Sequence, residues 1–318
     1  MKTALVTGAS SGIGAAIARQ LIADGYRVFV GARRVDRMRE LVDAGATALS
    51  LDVTDDASIV AAMNTIRDGA GRLDVLVNNA GYGSYGSLEE VPIDEARRQF
   101  EVNVFGLARL TQLALPMMRA QKSGTVVNIT SIGGKIYEPF GAWYHASKFA
   151  VEGMSDSLRM ELAPFGINVV IIEPGAIKTE WTEISRLNLL QHSGSGPYKP
   201  YAESHANMLA KADRASVASP PEVVAATVSR ALKARRPHTR YATGSGAADR
   251  TTRTCASAGP LVRCGAATVP QRRFRLRRLG PRPSGIRSRL SSGSSAGRRP
   301  WCRRASRRWR PWPAHRAW

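Results

Sequence analysis

Tyr144-His-Ala-Ser-Lys148 sets a phenol and a primary amine four residues apart, and Ser131 lies upstream of both. On a helix that spacing puts the first two side chains on one face. A free phenol titrates near 10, too high to act as a base at neutral pH. A neighbouring ammonium favours the phenolate and is expected to draw that value down. A serine hydroxyl nearby could hold a substrate oxygen while charge develops on it. Together the three suit proton exchange at a carbonyl or alcohol oxygen. At the other end of the chain, Thr7-Gly-Ala-Ser-Ser-Gly-Ile-Gly14 follows an apolar run and precedes a helical pattern. In such a turn Gly8 allows the tight bend, Gly12 a close approach of pyrophosphate, and Gly14 close packing of helix on strand. Ser10 and Ile13 belong to the same turn, and the helix entrance adds free N–H groups and about half a positive charge. Singly, each residue has a plainer reading: a packed tyrosine, a solvated lysine, a flexible glycine turn. In combination they point to hydride chemistry on a dinucleotide.

The elements between must bring these two clusters together. Short apolar runs at Ala4–Thr7, Arg27–Gly31, Thr47–Leu51, Val75–Val77, Thr125–Thr130, Asn168–Glu173 and Thr239–Ala242 read as strands. Helical spacing separates them, with Ile13, Ile17 and Leu21 forming one stripe and Met154, Leu158 and Leu162 another. Strands apolar on both faces, alternating with helices, specify an α/β domain with a doubly wound, Rossmann-type parallel sheet of seven strands. Ligands then sit at the carboxyl ends of the strands. The stretch 181–219, rich in Ser, Gly, Pro and aromatics, breaks the rhythm and reads as a long irregular lid. Pro220-Pro221-Glu222 opens a last helix that ends in the basic run 233–236.

The chain has 318 residues and a net charge of +21. Residues 244–318 hold 19 arginines, no lysine and one acid, Asp249, and so contribute +18; residues 1–243 contribute +3. The domain is thus assigned to 1–243 and the remainder to an Arg-rich, low-complexity tail expected to be disordered. Its wealth of Arg, Ala, Gly, Pro and Trp suits a GC-rich segment translated out of frame. The competing reading is an arginine-rich arm that binds nucleic acid through phosphates and stacked tryptophans. All three cysteines, Cys255, Cys264 and Cys302, lie in the tail at spacings that match no metal or redox pattern. No leader or membrane-length apolar segment is evident, so the expectation is a cytoplasmic protein with no metal, no membrane span and no specific nucleic-acid partner.

Arg33 and Arg34 follow the second strand, where a dinucleotide fold reads the adenosine ribose, and no acid stands at Ala32. Arginine suits a 2′-phosphate, so NADP(H) is preferred and NAD(H) remains possible. Asp52, beside Val53 at the end of the third strand, could accept from the adenine amino group or cap the following loop.

With these residues in view, the chain from 1 to about 243 resembles a classical short-chain dehydrogenase/reductase. The matching elements are the glycine turn, Leu51-Asp52-Val53, Asn78-Asn79-Ala80-Gly81, Asn103, Ser131, Tyr144 with Lys148, and Pro174-Gly175 with Thr179, in family order and spacing. The resemblance implies Tyr144 as general acid/base, Lys148 also binding the nicotinamide ribose, Ser131 positioning the carbonyl and Asn103 anchoring a relay water. It implies that Asn79, Ala80 and Gly81 border the cofactor, that Asn78 fixes its strand, and that Pro174, Gly175, Ile177 and Thr179 hold the nicotinamide. It further implies a homodimer or homotetramer through helices 101–118 and 143–164. The expected activity is interconversion of an alcohol with a ketone or aldehyde. Trp181, Leu187, Leu189, Leu190 and Tyr198 hint at a hydrophobic, steroid- or retinoid-like substrate. The alternatives are a catalytically silent nucleotide-binding scaffold and nucleic-acid binding through the tail.

Overall fold

The computed structural model describes residues 1–214 and 218–247. Seven parallel strands form one sheet in the order β3-β2-β1-β4-β5-β6-β7. They are β1 (Thr3–Thr7), β2 (Arg27–Ala32), β3 (Thr47–Ser50), β4 (Val75–Asn78), β5 (Gly124–Ile129), β6 (Ile167–Pro174) and β7 (Arg240–Thr243). The order reverses between β1 and β4, which opens a crevice at their carboxyl ends.

The continuous apolar runs are explained by the two faces they fill. In β1, Ala4 and Val6 pack with Ile17 and Leu21 of α1 (Gly12–Ala23) and Val224 and Val228 of α9 (Glu222–Lys233). Leu5, between them, points the other way, toward Ile59 and Ile66 of α3 (Asp56–Ala70) and Leu110 and Ala114 of α5 (Leu107–Gln121). Each fully buried Leu or Ile contributes about 1.5–3 kcal/mol relative to exposure. Short α2 (Arg39–Asp43) follows β2, α4 (Ile93–Phe100) follows the loop after β4, and α6 (Ala142–Leu162) crosses from β5 to β6.

The stretch after β6 differs from the expected irregular lid. It folds as two helices, α7 (Trp181–Ser193) and α8 (Lys199–Arg214), joined around Gly194–Tyr198. Leu189 of α7 and Ala202 and Ala206 of α8 bury against Tyr85 and Tyr144. Tertiary burial of these small and branched residues overrides the Ser-rich composition that suggested a loop.

The chain stays engaged with the sheet past β7: Ala176 N–H donates to the Ser245 carbonyl at 3.0 Å, and Ala247 is buried. Residues 244–247 therefore belong with the sheet rather than with the tail expected over 244–318, and the rest of that tail, 248–318, lies outside the described residues. Among the described residues no helix is long and apolar enough to cross a membrane.

Gly14 illustrates how tightly the first crossover is packed. A Cβ there would overlap the Gly8 carbonyl and lie 2.6 Å from Asn79 Nδ2. Gly14→Ala is therefore expected to destabilise the fold by about 1–3 kcal/mol, read as a fall of several degrees in Tm, with weakened nucleotide binding.

Candidate active site

Gly8 (φ +66°) and Gly12 (φ +55°) adopt the left-handed conformation that side chains disfavour. The turn they form is pinned from β4. Asn79 Nδ2 donates to the Thr7 carbonyl at 2.9 Å, while Thr7 Oγ1 accepts from the N–H groups of Asn79 and Ala80, both at 3.0 Å. Asn78 lies deeper, donating to Asn128 Oδ1 at 2.9 Å and Thr111 Oγ1 at 3.1 Å, and so ties β4 to β5 and α5. Ser11 caps α1 in extended conformation but its side chain makes no capping hydrogen bond. The first-turn amides thus lack a capping side chain, and the glycine cradle fits a phosphate-bearing ligand.

Arg33 and Arg34 are exposed beside this turn. Arg34 reaches Ser10 Oγ at 3.3 Å and Glu180 at 3.4 Å, and Arg37 joins the same carboxylate at 2.9 Å. Asp52 takes its loop-capping role: Oδ1 accepts from Thr54 N–H at 2.9 Å and Thr54 Oγ1 at 2.8 Å. Burial pushes its carboxyl up, but these bonds and the Arg33 charge outweigh it and hold it below the ordinary value. Val53 is buried against Gly106.

The whole Tyr144–Lys148 motif lies in the first two turns of α6, and both side chains are buried. Ser131 lies near enough to the Tyr144 hydroxyl to favour the phenolate, and its Oγ accepts from Gly133 N–H at 3.0 Å. Lys148 Nζ stands 6.0 Å from the Tyr144 ring centroid and donates to the Ile129 carbonyl at 3.0 Å. Burial pushes the Tyr144 phenol up to about 12; the Ser131 hydroxyl opposes this and Glu138 adds to it. Burial likewise pulls Lys148 down to about 8 against the favourable charge of Glu152. Burial thus outweighs the downward pull expected of Lys148, before any charge on a bound nicotinamide is added. Desolvation wins, because it disfavours both charged forms at once.

Asn103 sits in a π-helical turn, Glu101–Gly106, between α4 and α5. Its side chain is fully used: Nδ2 donates to the Tyr82 carbonyl at 2.9 Å and Ser147 Oγ at 3.1 Å, and Oδ1 accepts from Tyr82 N–H. The turn thereby locks the loop after β4 to α6.

Beyond Pro174, the Gly175 N–H donates to the Thr243 carbonyl at 2.8 Å, and a Cβ at Gly175 would collide with the Ser245 carbonyl. Buried Ile177 bridges to Ser219. Thr179 meets the glycine turn: a Cβ on Gly12 would lie 3.0 Å from its methyl. Two residues on, the Trp181 ring lies 5.1 Å from that of Tyr144. The segment from Thr179 to Trp181 therefore touches both halves of the site. These residues gather along the carboxyl edge of the sheet, with Arg33 and Arg34 after β2, Asp52 and Val53 after β3, and the others at or beyond the ends of β1, β4, β5 and β6.

The model of the short chain dehydrogenase family matches residues 2–189. The chain belongs to this family. It is an oxidoreductase, as its relatives and solved neighbours are. The probable short-chain type dehydrogenase/reductase VdlC of Helicobacter pylori is 39% identical over 178 residues, 56% of this chain and 66% of that protein. The NADPH-dependent 3-dehydrocapnine reductase of Ornithobacterium rhinotracheale is 39% identical over 254 residues, 76% of this chain and 87% of the relative. A solved short-chain dehydrogenase from Streptomyces avermitilis matches with a TM-score of 0.70 and 39% identity, covering 80% of this chain and 92% of that one.

In this short-chain dehydrogenase several site residues carried no signal in the sequence. Tyr85 is 1% exposed, its ring 5.9 Å from Tyr144, and its hydroxyl donates to Glu138 at 2.7 Å. It lies in a Gly- and Ser-rich loop without periodicity. Glu180, which gathers Arg34 and Arg37, is more than 140 residues distant in sequence. Arg37 itself had a signal, as a third arginine close after Arg33 and Arg34.

Proposed function

We propose that this chain is an NADP(H)-dependent oxidoreductase that interconverts an alcohol with a ketone or aldehyde. One observation carries the reading. Half-buried Ser131 meets buried Tyr144 and Lys148 in one cluster, and the segment 179–181 links it to the glycine turn. Gly8, Gly12, Gly14 and the amides opening α1 would hold the pyrophosphate, with Ser10, Ile13, Val53, Asn79, Ala80 and Gly81 bordering it. Pro174, Gly175, Ile177, Thr179 and Lys148 would hold the nicotinamide end. When bound, that cofactor supplies or accepts the hydride.

The remaining chemistry belongs to the protein. Ser131 donates a hydrogen bond to the substrate oxygen and orients it. Tyr144, protonated at neutral pH because its phenol is pushed up to about 12, gives its proton to that oxygen as the carbonyl is reduced. Alkoxide is far more basic than phenolate, so this transfer runs downhill. Lys148 stabilises the phenolate left behind. Asn103 holds the loop after β4 against α6, and a relay water beside it would return the proton. The rings of Trp181 and Tyr85 shield the phenol from bulk water.

The arginines after β2 support NADP(H), as does the cofactor named for the Ornithobacterium relative. A 2′-phosphate would compete with Glu180 for Arg34 and draw in Arg33. Arg34→Ala is expected to raise the KM for NADPH about 10-fold or more, the loss of one charge-assisted hydrogen bond, with the KM for NADH little changed. Steady-state kinetics with both cofactors checks this; equal effects on the two would remove the assignment. Exposed Phe105 and Phe149, at the helices expected to meet a second subunit, favour a homo-oligomer. The test of the function as a whole is NADPH oxidation against a panel of hydrophobic ketones and aldehydes.

A further inference from the structure

Beside the buried cluster lies a cleft of about 1010 Å³, large enough for a drug-sized or lipid-like molecule. Its wall is formed by the loop after β4, the loop after β5 and α8, and includes Leu88, Glu89, Glu138, Phe140, Tyr198 and His205. Three features of the wall bear on what it takes. First, it is mostly apolar, and at its rim Leu88, Tyr201 and Met208 are each at least half exposed. Second, its charges have one sign: Glu89 and Glu138 line it, and among the described residues no lysine or arginine does. Third, it carries aromatic faces at right angles and tilts. Phe140 meets Tyr198 at 6.4 Å and His205 at 5.7 Å, and His205 stacks on Tyr85 at 6.2 Å.

His205 supplies an independent sign of a ligand. It is 9% exposed, and its Nε2 is buried without a hydrogen-bond partner among the described residues. Burial lowers its pKa, so the ring is neutral at pH 7 and adds no repulsion against a cation. Phe140 holds its ring in this wall at φ +65°, a left-handed backbone that an aromatic residue rarely adopts. Such strain is retained where a fixed side-chain position serves a site. A wall of carboxylates and aromatic faces attracts organic ammonium ions by charge and by cation–π contact.

We propose that the cleft selects a cationic amphiphile, an amino ketone or amino alcohol with a long hydrocarbon chain. The ammonium lies at Glu138 and Glu89, the ring of Phe140 beside it, and the hydrocarbon runs out over Leu88 and Met208. A hydroxyl or amine N–H of the same headgroup meets His205 Nε2. Glu138 accepts from the hydroxyl of Tyr85, whose ring lies 5.9 Å from that of Tyr144, so the ammonium end of the ligand lies on the side of the cleft nearest the phenol. This deepens the oxidoreductase reading and rests on it for the placement of the carbonyl at Tyr144.

The test has a binding arm and a turnover arm, both on the full chain. Isothermal titration compares dodecylammonium, below its aggregation threshold, with 1-dodecanol. The ammonium is expected to bind at least about 10-fold tighter. Glu138→Gln, which keeps an oxygen for the Tyr85 hydroxyl, and the exposed Glu89→Gln are each expected to erode that preference severalfold. In the turnover arm, kcat/KM with NADPH is compared for a long-chain amino ketone and its N-acetyl derivative, with the charged ketone preferred. Equal affinity for the two probes, or a preference untouched by both substitutions, would overturn the cation site. Turnover of neutral ketones with no ammonium preference likewise defeats it and leaves the oxidoreductase reading intact. Selective ammonium binding without NADPH oxidation on any ketone does the reverse.

Discussion

Tyr144→Phe is expected to lower kcat for ketone reduction about 10³-fold, within the range for loss of a positioned general acid, while NADPH binds as before. The reason is local. The ring packs against Trp181 at 5.1 Å and Tyr85 at 5.9 Å, and phenylalanine keeps both contacts. What disappears is one hydroxyl facing Ser131, a loss of at most about 1 kcal/mol of stability. A folded, cofactor-binding variant that has lost turnover would assign the defect to chemistry. Stopped-flow NADPH oxidation and cofactor titration on the same sample separate the two quantities. Full activity in the variant would remove Tyr144 from the mechanism.

Lys148→Met is expected to lower kcat by about 10²-fold or more, the scale of losing one group that stabilises transition-state charge, yet leave the cofactor-free fold as stable as before or more so. The ammonium is buried and pulled down to about 8 from 10.5, a penalty on folding on the order of 3 kcal/mol when the unfolded chain is protonated. Methionine fills similar volume without that penalty and forfeits one hydrogen bond to the Ile129 carbonyl, about 1 kcal/mol. The pH dependence follows in sign. Between pH 8 and 10.5 the unfolded lysine holds a proton that the folded one has released, so this group makes the native protein more stable as pH rises. Tyr144 acts oppositely at higher pH, because its folded phenol, up at about 12, holds a proton that the unfolded one gives up above 10. Urea unfolding at pH 7.5 and 9.5 should show a rise for the native protein that the variant lacks. A variant destabilised by several kcal/mol at pH 7.5 would mark Lys148 as a structural group.

The sheet could be read from residues because its central strands are apolar on both faces. Ala4, Leu5 and Val6 need helices above and below, and a parallel doubly wound sheet provides them. The chemical groups could be read because phenol, amine and hydroxyl recur at helical and strand-end spacings that few other arrangements require. What could not be read depended on packing at long range. Residues 181–193 and 199–214 are helical because Leu189, Ala202 and Ala206 find Tyr85 and Tyr144 to cover, and local composition gives no sign of that. The balance at Tyr144 was hidden for a similar reason. Spacing shows that Lys148 is near, but only burial decides that desolvation outweighs its charge. The pairing of Arg34 and Arg37 with Glu180 joins loops that only the fold brings together.

The central claim is that hydride reaches a substrate carbon while Tyr144 exchanges the proton at the attached oxygen. Single-turnover reduction of a ketone accepted by the protein, using NADPH deuterated at nicotinamide C4, tests it directly. One deuterium on the carbinol carbon, on one face only and from one of the two C4 positions, is the expected result. NADPH consumed without deuterium in the product, or label carried equally from both positions, would contradict it.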